Sequence, residues 1–260
     1  MKKYLCRAMI FVLGLLLLGC GKTGGESTNS ISVLGEAEKK GVQSTIKEPN
    51  VLKLEYLLQL PSSYDYEPNK KWPLILFLHG AGEVGGTLDD LKKMANTHSI
   101  PKAAATRANF PFIAVSPLCP ANREWTDLHQ DILHVLDEVM EKYHIDADRV
   151  YLTGLSMGGG GTWSLAMEHP DKFAAIAPVC GYGDVLKVNK IKNLPVWAFH
   201  GAKDDVIDIR YEQVVVDALE KAGGDVKFTI YSDVAHDAWV KAYETAELYD
   251  WFLQHSRNIK

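Results

Sequence analysis

Apolar runs alternate with amphipathic segments along the chain from about residue 50 onward. Several runs, such as PLILFLHG, RVYLTGLS and PVWAFHG, are almost continuously apolar, which is typical of strands buried on both faces. The segments between them have helical spacing; in DLHQDILHVLDEVMEKYH, Ile132, Leu136 and Val139 lie on one stripe. The alternation predicts an α/β fold, with a mostly parallel central sheet and helices on both faces.

The composition is that of one large domain without a nucleic-acid surface. The chain has 260 residues, of which 47% are apolar, and this is enough for a single core. Its net charge is −5 and its Lys and Arg residues do not cluster, so a nucleic-acid partner is not expected. The nine histidines form no H-x-x-x-H or H-E-x-x-H pair, so we expect no metal and no cofactor.

The N-terminal residues have the features of an export signal. Basic residues precede the run AMIFVLGLLLLGC, which is short for a transmembrane helix and ends at Cys20. The segment LLGC resembles the lipobox of bacterial lipoproteins, in which the cysteine is lipidated; the alternative is an ordinary signal peptide with an incidental cysteine. We therefore predict a lipoprotein signal peptide over residues 1–19, a flexible tether over 20–48 and a folded domain over 49–260. The protein would be exported and held at a bacterial membrane by its lipid, facing the periplasm or the cell exterior.

Residues that can take part in catalysis follow four of the predicted strands. They are the loop HGAGE that begins at His79, Ser156, the loop HGAKDD that begins at His200, and His236 in the segment AHD. Loops beyond the carboxyl ends of parallel strands are where sites form in open α/β sheets. These groups are therefore expected to meet at one edge of the sheet.

Ser156 lies between Gly154 and Gly158 at the junction of a predicted strand and helix. Small residues on both sides allow a sharp turn that exposes the serine, and the turn directs the backbone N–H of Met157 toward a developing oxyanion. The four glycines that follow Met157 disfavour an isolated helix, so they indicate close backbone packing.

A serine nucleophile needs a base and a group that orients the base. Asp204 and then His236 follow Ser156, in the chain order Ser, Asp, His that α/β-hydrolases use. Asp205 is an alternative to Asp204, and His79 and His200 are expected to have structural roles. The HGAG loop is expected to supply the second oxyanion donor, the backbone N–H of Ala81 or of Gly82.

The segments LHGAGE, SIPKAA, FPFIAVSPLCP, YLTGLSMGGGGTW, FAAIAPVCGYGD, PVWAFHGAKDDVI and AHDAW together resemble one group of α/β-hydrolases. Its members are described as phospholipase/carboxylesterase-like, as polyhydroxybutyrate-depolymerase-like esterases or as predicted peptidases. The resemblance runs from about Leu54 to the C-terminus and implies Ser156 as nucleophile, Asp204 as acid and His236 as base. The GGGG segment departs from the group, which often has a bulkier residue there.

The short segment from Gly181 to Leu194 leaves no room for a helical cap, so an open site is expected, able to admit an ester on a bulky group or polymer. Trp125 and Trp239 are candidates for its walls, or are ordinary core or rim residues. The function expected is hydrolysis of carboxylic esters through an acyl-serine; the alternatives are a serine peptidase and a non-catalytic binding lipoprotein.

Export would also permit a disulfide between the two cysteines that follow Cys20 in the chain, Cys119 and Cys180. The strands that precede them are expected to lie about 14 Å apart, so two free thiols are the simpler expectation.

Overall fold

The computed structural model describes residues 51–85, 87, 89, 90, 93 and 98–257. The predicted signal peptide, the lipidation site Cys20 and the tether lie outside these residues. In the described part of the chain, no helix is long and apolar enough to cross a membrane.

The described residues form a seven-stranded sheet. Its strands are β1 (Tyr56–Gln59), β2 (Trp72–Leu78), β3 (Ile113–Pro117), β4 (Ile145–Leu155), β5 (Ala175–Val179), β6 (Val196–Gly201) and β7 (Val226–Tyr231). Their order across the sheet is β1-β3-β2-β4-β5-β6-β7. The first strand is antiparallel to β3 and all the other pairs are parallel, as the sequence predicts.

Two layers of helices cover the sheet. Within the described residues, the α-helices with complete bounds are α1 (Ile100–Thr106), α2 (His129–Lys142), α3 (Met157–Glu168), α4 (Arg210–Lys221), α5 (Trp239–Glu244) and α6 (Ala246–Gln254). Short 3-10 helices occupy Tyr64–Tyr66, Ala81–Glu83, Trp125–Asp127, Pro170–Lys172 and Val185–Ile191.

Each face of the sheet has its own hydrophobic core. Along β2, Leu74, Leu76 and Leu78 belong to one core, together with residues of α2, α3 and α4. The alternate residues Ile75 and Phe77 belong to the other, together with residues of α1, α5 and α6. Every residue of β2 is buried, which explains its continuous apolar sequence.

The C-terminal helical segment differs from the sequence expectation. The segment AWVKAYETAELYDWFLQH, residues 238–255, has a sequence that predicts one helix, but Thr245 adopts an extended conformation with ψ 116° and separates α5 from α6. The Thr245 hydroxyl donates to the carbonyl oxygen of Lys241 at 2.9 Å, and its backbone N–H donates to the same oxygen at 3.1 Å. These bonds close α5 at a β-branched residue, a side-chain effect that apolar periodicity does not reveal.

Candidate active site

Ser156 lies on a sharp turn between β4 and α3. Its backbone has φ 55° and ψ −117°, a conformation that residues with a side chain rarely adopt. The turn is held by two hydrogen bonds, from Ser156 N–H to Val179 O at 3.0 Å and from Gly160 N–H to Ser156 O at 3.0 Å. Strain held in this way places the hydroxyl at the carboxyl edge of the sheet and the N-terminus of α3 beside it.

The glycines around Ser156 are required by close approach, as the sequence predicts. A β carbon on Gly154 would lie 2.3 Å from Gly158 O, and one on Gly159 would lie 2.5 Å from Val179 O. The last two glycines face side chains: a β carbon on Gly160 would lie 2.6 Å from the Tyr182 ring, and one on Gly161 2.5 Å from Trp125 Cβ. The run therefore lets α3 lie against the strand backbones despite its low helix propensity.

The structure brings Ser156, His236 and Asp204 together. The Ser156 Oγ lies 2.8 Å from His236 Nε2, and His236 Nδ1 lies 2.8 Å from Asp204 Oδ2. The Asp204 side chain is fully buried and that of His236 is 18% exposed. This is the geometry in which an imidazole can take the hydroxyl proton while a carboxylate orients the ring.

Asp204, and not its neighbour Asp205, makes the contact with His236. Its other oxygen, Oδ1, accepts from the backbone N–H groups of Val206 and Ile207, each at 2.9 Å. The carboxylate is therefore fixed at both oxygens, whereas Asp205 is exposed to solvent.

Ala81 and Met157 occupy equivalent positions in their helices. Ala81 is the first residue of the 3-10 helix Ala81–Glu83, and Met157 is the first residue of α3. The first N–H groups of a helix have no acceptor within it, so both stay candidates for the oxyanion donors that the sequence predicts.

The loop that carries Ala81 is held by His79, which is buried. The ring Nδ1 lies 2.7 Å from Gly80 O and the ring Nε2 accepts from Cys119 N–H at 3.0 Å. Because a carbonyl oxygen only accepts, Nδ1 carries the proton and Nε2 is unprotonated. Burial lowers the pKa of His79 to about 4, so the ring is neutral at neutral pH.

Glu212 is a buried residue near the site that sequence reasoning missed. It lies on α4 and contacts His200, whose ring is 3.2 Å from Asp204 Oδ2. The buried positions of α4 are Glu212, Val215, Val216 and Leu219, which is helical spacing. The sequence contained one signal for this residue: Glu212 is a carboxylate at a position of the helix where the spacing predicts a buried apolar residue.

Of the two tryptophans considered as walls of the site, Trp125 is a core residue. It is fully buried, and its Nε1–H donates to His79 O at 2.8 Å. Trp239 is half-buried and meets His236 edge-on, with ring centroids 5.2 Å apart, so it remains a candidate wall. Cys119 and Cys180 are free thiols.

One group of metal-ligand side chains occurs in the described residues, Cys180 with Asp204 and His236, whose ligand atoms lie within 4.8 Å of one another. Burial raises the pKa of the Cys180 thiol well above its ordinary value, which disfavours the thiolate that metals bind. The ligand atoms of Asp204 and His236 face each other, and His236 also contacts Ser156. The group therefore fits a proton-transfer site better than a metal site.

A cleft of about 600 Å³ lies elsewhere on the described surface. It is lined by Ala174 and Pro195, which precede β5 and β6, so it opens at the amino ends of these strands. The serine lies at their carboxyl ends, and the cleft is not part of its site.

The sheet order, the serine turn and the chain order of the site residues define the α/β-hydrolase fold. Residues 122–198 match the prolyl oligopeptidase family. A thermostable esterase of known structure has a TM-score of 0.68 and 34% identity, over 81% of this chain and 61% of that one.

Two curated relatives carry the names of different enzyme classes. The bifunctional acetylxylan esterase/xylanase XynS20E of Neocallimastix patriciarum is 32% identical over 148 residues, which are 55% of this chain and 20% of the relative. Dipeptidyl peptidase family member 1 of Caenorhabditis elegans is 23% identical over 234 residues, 75% of this chain and 29% of the relative. The chain thus spans less than a third of either curated relative.

Proposed function

We propose that the protein is a serine hydrolase that cleaves carboxylic esters through an acyl-serine intermediate. The observation that carries the proposal is the continuous contact from Ser156 Oγ to His236 and from His236 to Asp204, each at 2.8 Å. A serine is a weak nucleophile without such a base.

In this proposal Ser156 Oγ attacks the ester carbonyl carbon while His236 Nε2 takes the hydroxyl proton. The carbonyl oxygen becomes an oxyanion and accepts from the N–H groups of Met157 and Ala81. His236 then gives its proton to the leaving alcohol, and the acyl group stays on Ser156. Water attacks this acyl-serine with His236 again as base, and the acid is released. No metal or cofactor takes part.

The choice of esters over peptides is supported by two relatives that are more than 30% identical, an acetylxylan esterase/xylanase and a thermostable esterase. Peptidase activity is the second candidate because residues 122–198 match the prolyl oligopeptidase family. The two activities share one triad, but an amine leaving group depends more strongly on protonation by His236.

An open site supports a substrate with a bulky alcohol or a polymer, such as an acylated polysaccharide or a polyester. The connection from β5 to β6 contains the 3-10 helix Val185–Ile191 and no inserted domain.

The deciding experiment compares the wild-type chain with Ser156→Ala on p-nitrophenyl acetate, p-nitrophenyl butyrate and a peptide anilide. Ester turnover that disappears in the variant, with the anilide left intact, is the expected result. Cleavage of the anilide in preference to both esters would assign a peptidase. If no substrate turns over and a fluorophosphonate does not label Ser156, the protein is a binding module and the proposal is wrong.

We further propose that the protein is exported and anchored at a bacterial membrane by acyl chains on Cys20. The support is the lipobox-like LLGC after a basic and apolar N-terminus. Each buried methylene would add about 0.8 kcal/mol to membrane binding. Expression of wild type and Cys20→Ser in a bacterium tests it: the wild type should sediment with membranes and incorporate labelled palmitate, and the variant should do neither. Equal fractionation without label would contradict the anchor.

A further inference from the structure

A second buried pair, His200 and Glu212, lies behind Asp204. Neither side chain is exposed, and His200 Nδ1 is 2.6 Å from Glu212 Oε2. On the other side of the ring, His200 Nε2 is 2.9 Å from Ile207 O and 3.2 Å from Asp204 Oδ2. Contacts therefore run without a break from Ser156 through the triad to Glu212.

The hydrogen-bond partners of the pair determine where its protons lie. Ile207 O has no proton to give, so His200 Nε2 carries one and donates it. Glu212 Oε1 accepts from Trp163 Nε1–H at 2.8 Å, and Glu212 Oε2 accepts from Gly181 N–H at 3.3 Å. A further proton lies in the short contact between His200 Nδ1 and Glu212 Oε2. Whichever of these two atoms holds it, Nε2 keeps its own proton, which it donates to Ile207 O beside Asp204.

Asp204 Oδ2 consequently accepts from His236 at 2.8 Å and lies 3.2 Å from His200 Nε2, whose N–H donates to Ile207 O at 2.9 Å. The Ile207 N–H in turn donates to Asp204 Oδ1. One ring thus fixes the carboxylate through the backbone of its own loop.

We propose that His200 and Glu212 are positioning residues for the candidate catalytic acid. Glu212 keeps the His200 ring oriented with its N–H on Ile207 O, beside Asp204, and through this loop His200 holds the carboxylate that orients His236. The proposal rests on the proposed hydrolase function, because it concerns the same proton-transfer site.

The charges around the pair support this arrangement. Burial by itself lowers the pKa of His200, but Glu212, the Ile207 carbonyl and Asp204 raise it overall. Burial raises the pKa of Glu212, against the effect of its N–H donors. Of the other nearby groups, Asp208 pairs with exposed Arg210, and the Cys180 thiol is neutral. Both shifts favour keeping a proton within the pair, in line with the short contact between His200 Nδ1 and Glu212 Oε2.

Glu212→Gln in the full-length chain tests the proposal. The amide has only one acceptor oxygen, so it can accept from Trp163 or from Gly181 but not from both. It also carries no negative charge opposite His200. We expect kcat to fall roughly tenfold with KM unchanged, the effect of losing about one hydrogen bond. The acidic limb of the kcat/KM profile should also shift, because the charges behind Asp204 change when the carboxylate is replaced.

Trp163→Phe is the matched control, since it removes a donor from the other Glu212 oxygen and leaves the His200 contact in place. It should lower the Tm while kcat and the acidic limb stay as in wild type. If Glu212→Gln lowers the Tm in the same way but keeps wild-type kcat and pH profile, the pair is only structural and the proposal is wrong.

A measurement on the wild type decides the question even if Glu212→Gln does not fold. ¹⁵N NMR of the histidine side chains, assigned with His200→Gln, should show His200 Nε2 protonated throughout the pH range in which the protein is folded. An unprotonated Nε2 at neutral pH would overturn the proposal. If the wild type turned over no ester, the proposed function would fail, while the NMR result would still report the state of the pair.

Discussion

Gly158 lies directly against the backbone of Leu78, at the end of the neighbouring strand. A β carbon on Gly158 would lie 2.0 Å from Leu78 O and 2.7 Å from His79 O. The first turn of α3, which carries the candidate oxyanion donor Met157, is thus packed onto the strand that leads into the loop of the second donor, Ala81. The distance between the two donors depends on this contact.

Gly158→Ala should therefore separate the two donors. The added methyl group meets backbone that cannot rotate away, so we expect a loss of stability of roughly 3 kcal/mol, at the upper end for overpacking. Labelling by a fluorophosphonate should slow in parallel. Thermal unfolding and labelling kinetics measure the two effects. Gly82→Ala is the stability control, because nothing lies within 4 Å of its β-carbon position; equal Tm values for the two variants would contradict the packing argument.

Asp204→Asn should abolish most activity without unfolding the protein. The amide can present an N–H to His236 Nδ1, which stabilises the wrong tautomer and removes the negative charge that favours the imidazolium. A fall in kcat of about 10⁴ is expected, the effect known for this change in a Ser-His-Asp triad. Steady-state kinetics with p-nitrophenyl butyrate measure it.

Asp205→Asn provides the comparison on the adjacent residue. Because Asp205 is exposed and the His236 contact belongs to Asp204, kcat should stay within about twofold of wild type. A large fall in kcat for Asp205→Asn with a small one for Asp204→Asn would mean that Asp205, and not Asp204, orients His236.

The fold and the meeting of Ser156, Asp204 and His236 were accessible from the sequence for one physical reason. Strands buried on both faces have continuous apolar sequences, and parallel strands place their carboxyl ends at one edge, so chain order alone predicts which loops meet. The glycine run was informative in the same way, because only close backbone contact explains it.

Other features depend on contacts between segments far apart in the chain. The apolar stripe of α4 marks Glu212 as unusual, but its role depends on contacts with His200, Trp163 and Gly181 that the sequence does not specify. Trp125 was a possible substrate wall in the sequence, whereas its N–H bond to His79 O places it in the core. Such roles are set by partners that no local pattern specifies.

His79 should make the domain less stable in acid. Its pKa is about 4 in the folded protein against the ordinary 6.5, so the unfolded chain binds more protons between these values. Its contribution is complete above about pH 6.5 and is lost as the pH falls toward 4, by roughly 3 kcal/mol. The free energy of unfolding, measured with urea over this pH range, should decrease as the pH falls. His79→Gln should remove this part of the decrease, whereas His134→Gln, at an exposed position of α2, should retain it.

Glu83 closes the turn that carries Ala81. Its carboxyl interacts with the backbone N–H groups of Gly80 and of Glu83 itself. Gly80 is the N-cap of the 3-10 helix and Glu83 its third residue, so the contact is the glutamate half of a capping box. Burial raises the pKa of this carboxyl, so the turn holds a group that is costly to ionise beside the candidate oxyanion site.

Replacing Glu83 separates its role as an acceptor from its charge. Glu83→Ala leaves the Gly80 N–H without this acceptor and frees the turn, so kcat should fall roughly tenfold, with KM changed less. Glu83→Gln keeps an acceptor oxygen and should restore kcat to within about threefold of wild type. Ester kinetics on the two variants measure the difference. Equal losses in both would mean that the carboxyl charge matters, and that Glu83 contacts the substrate instead of the turn.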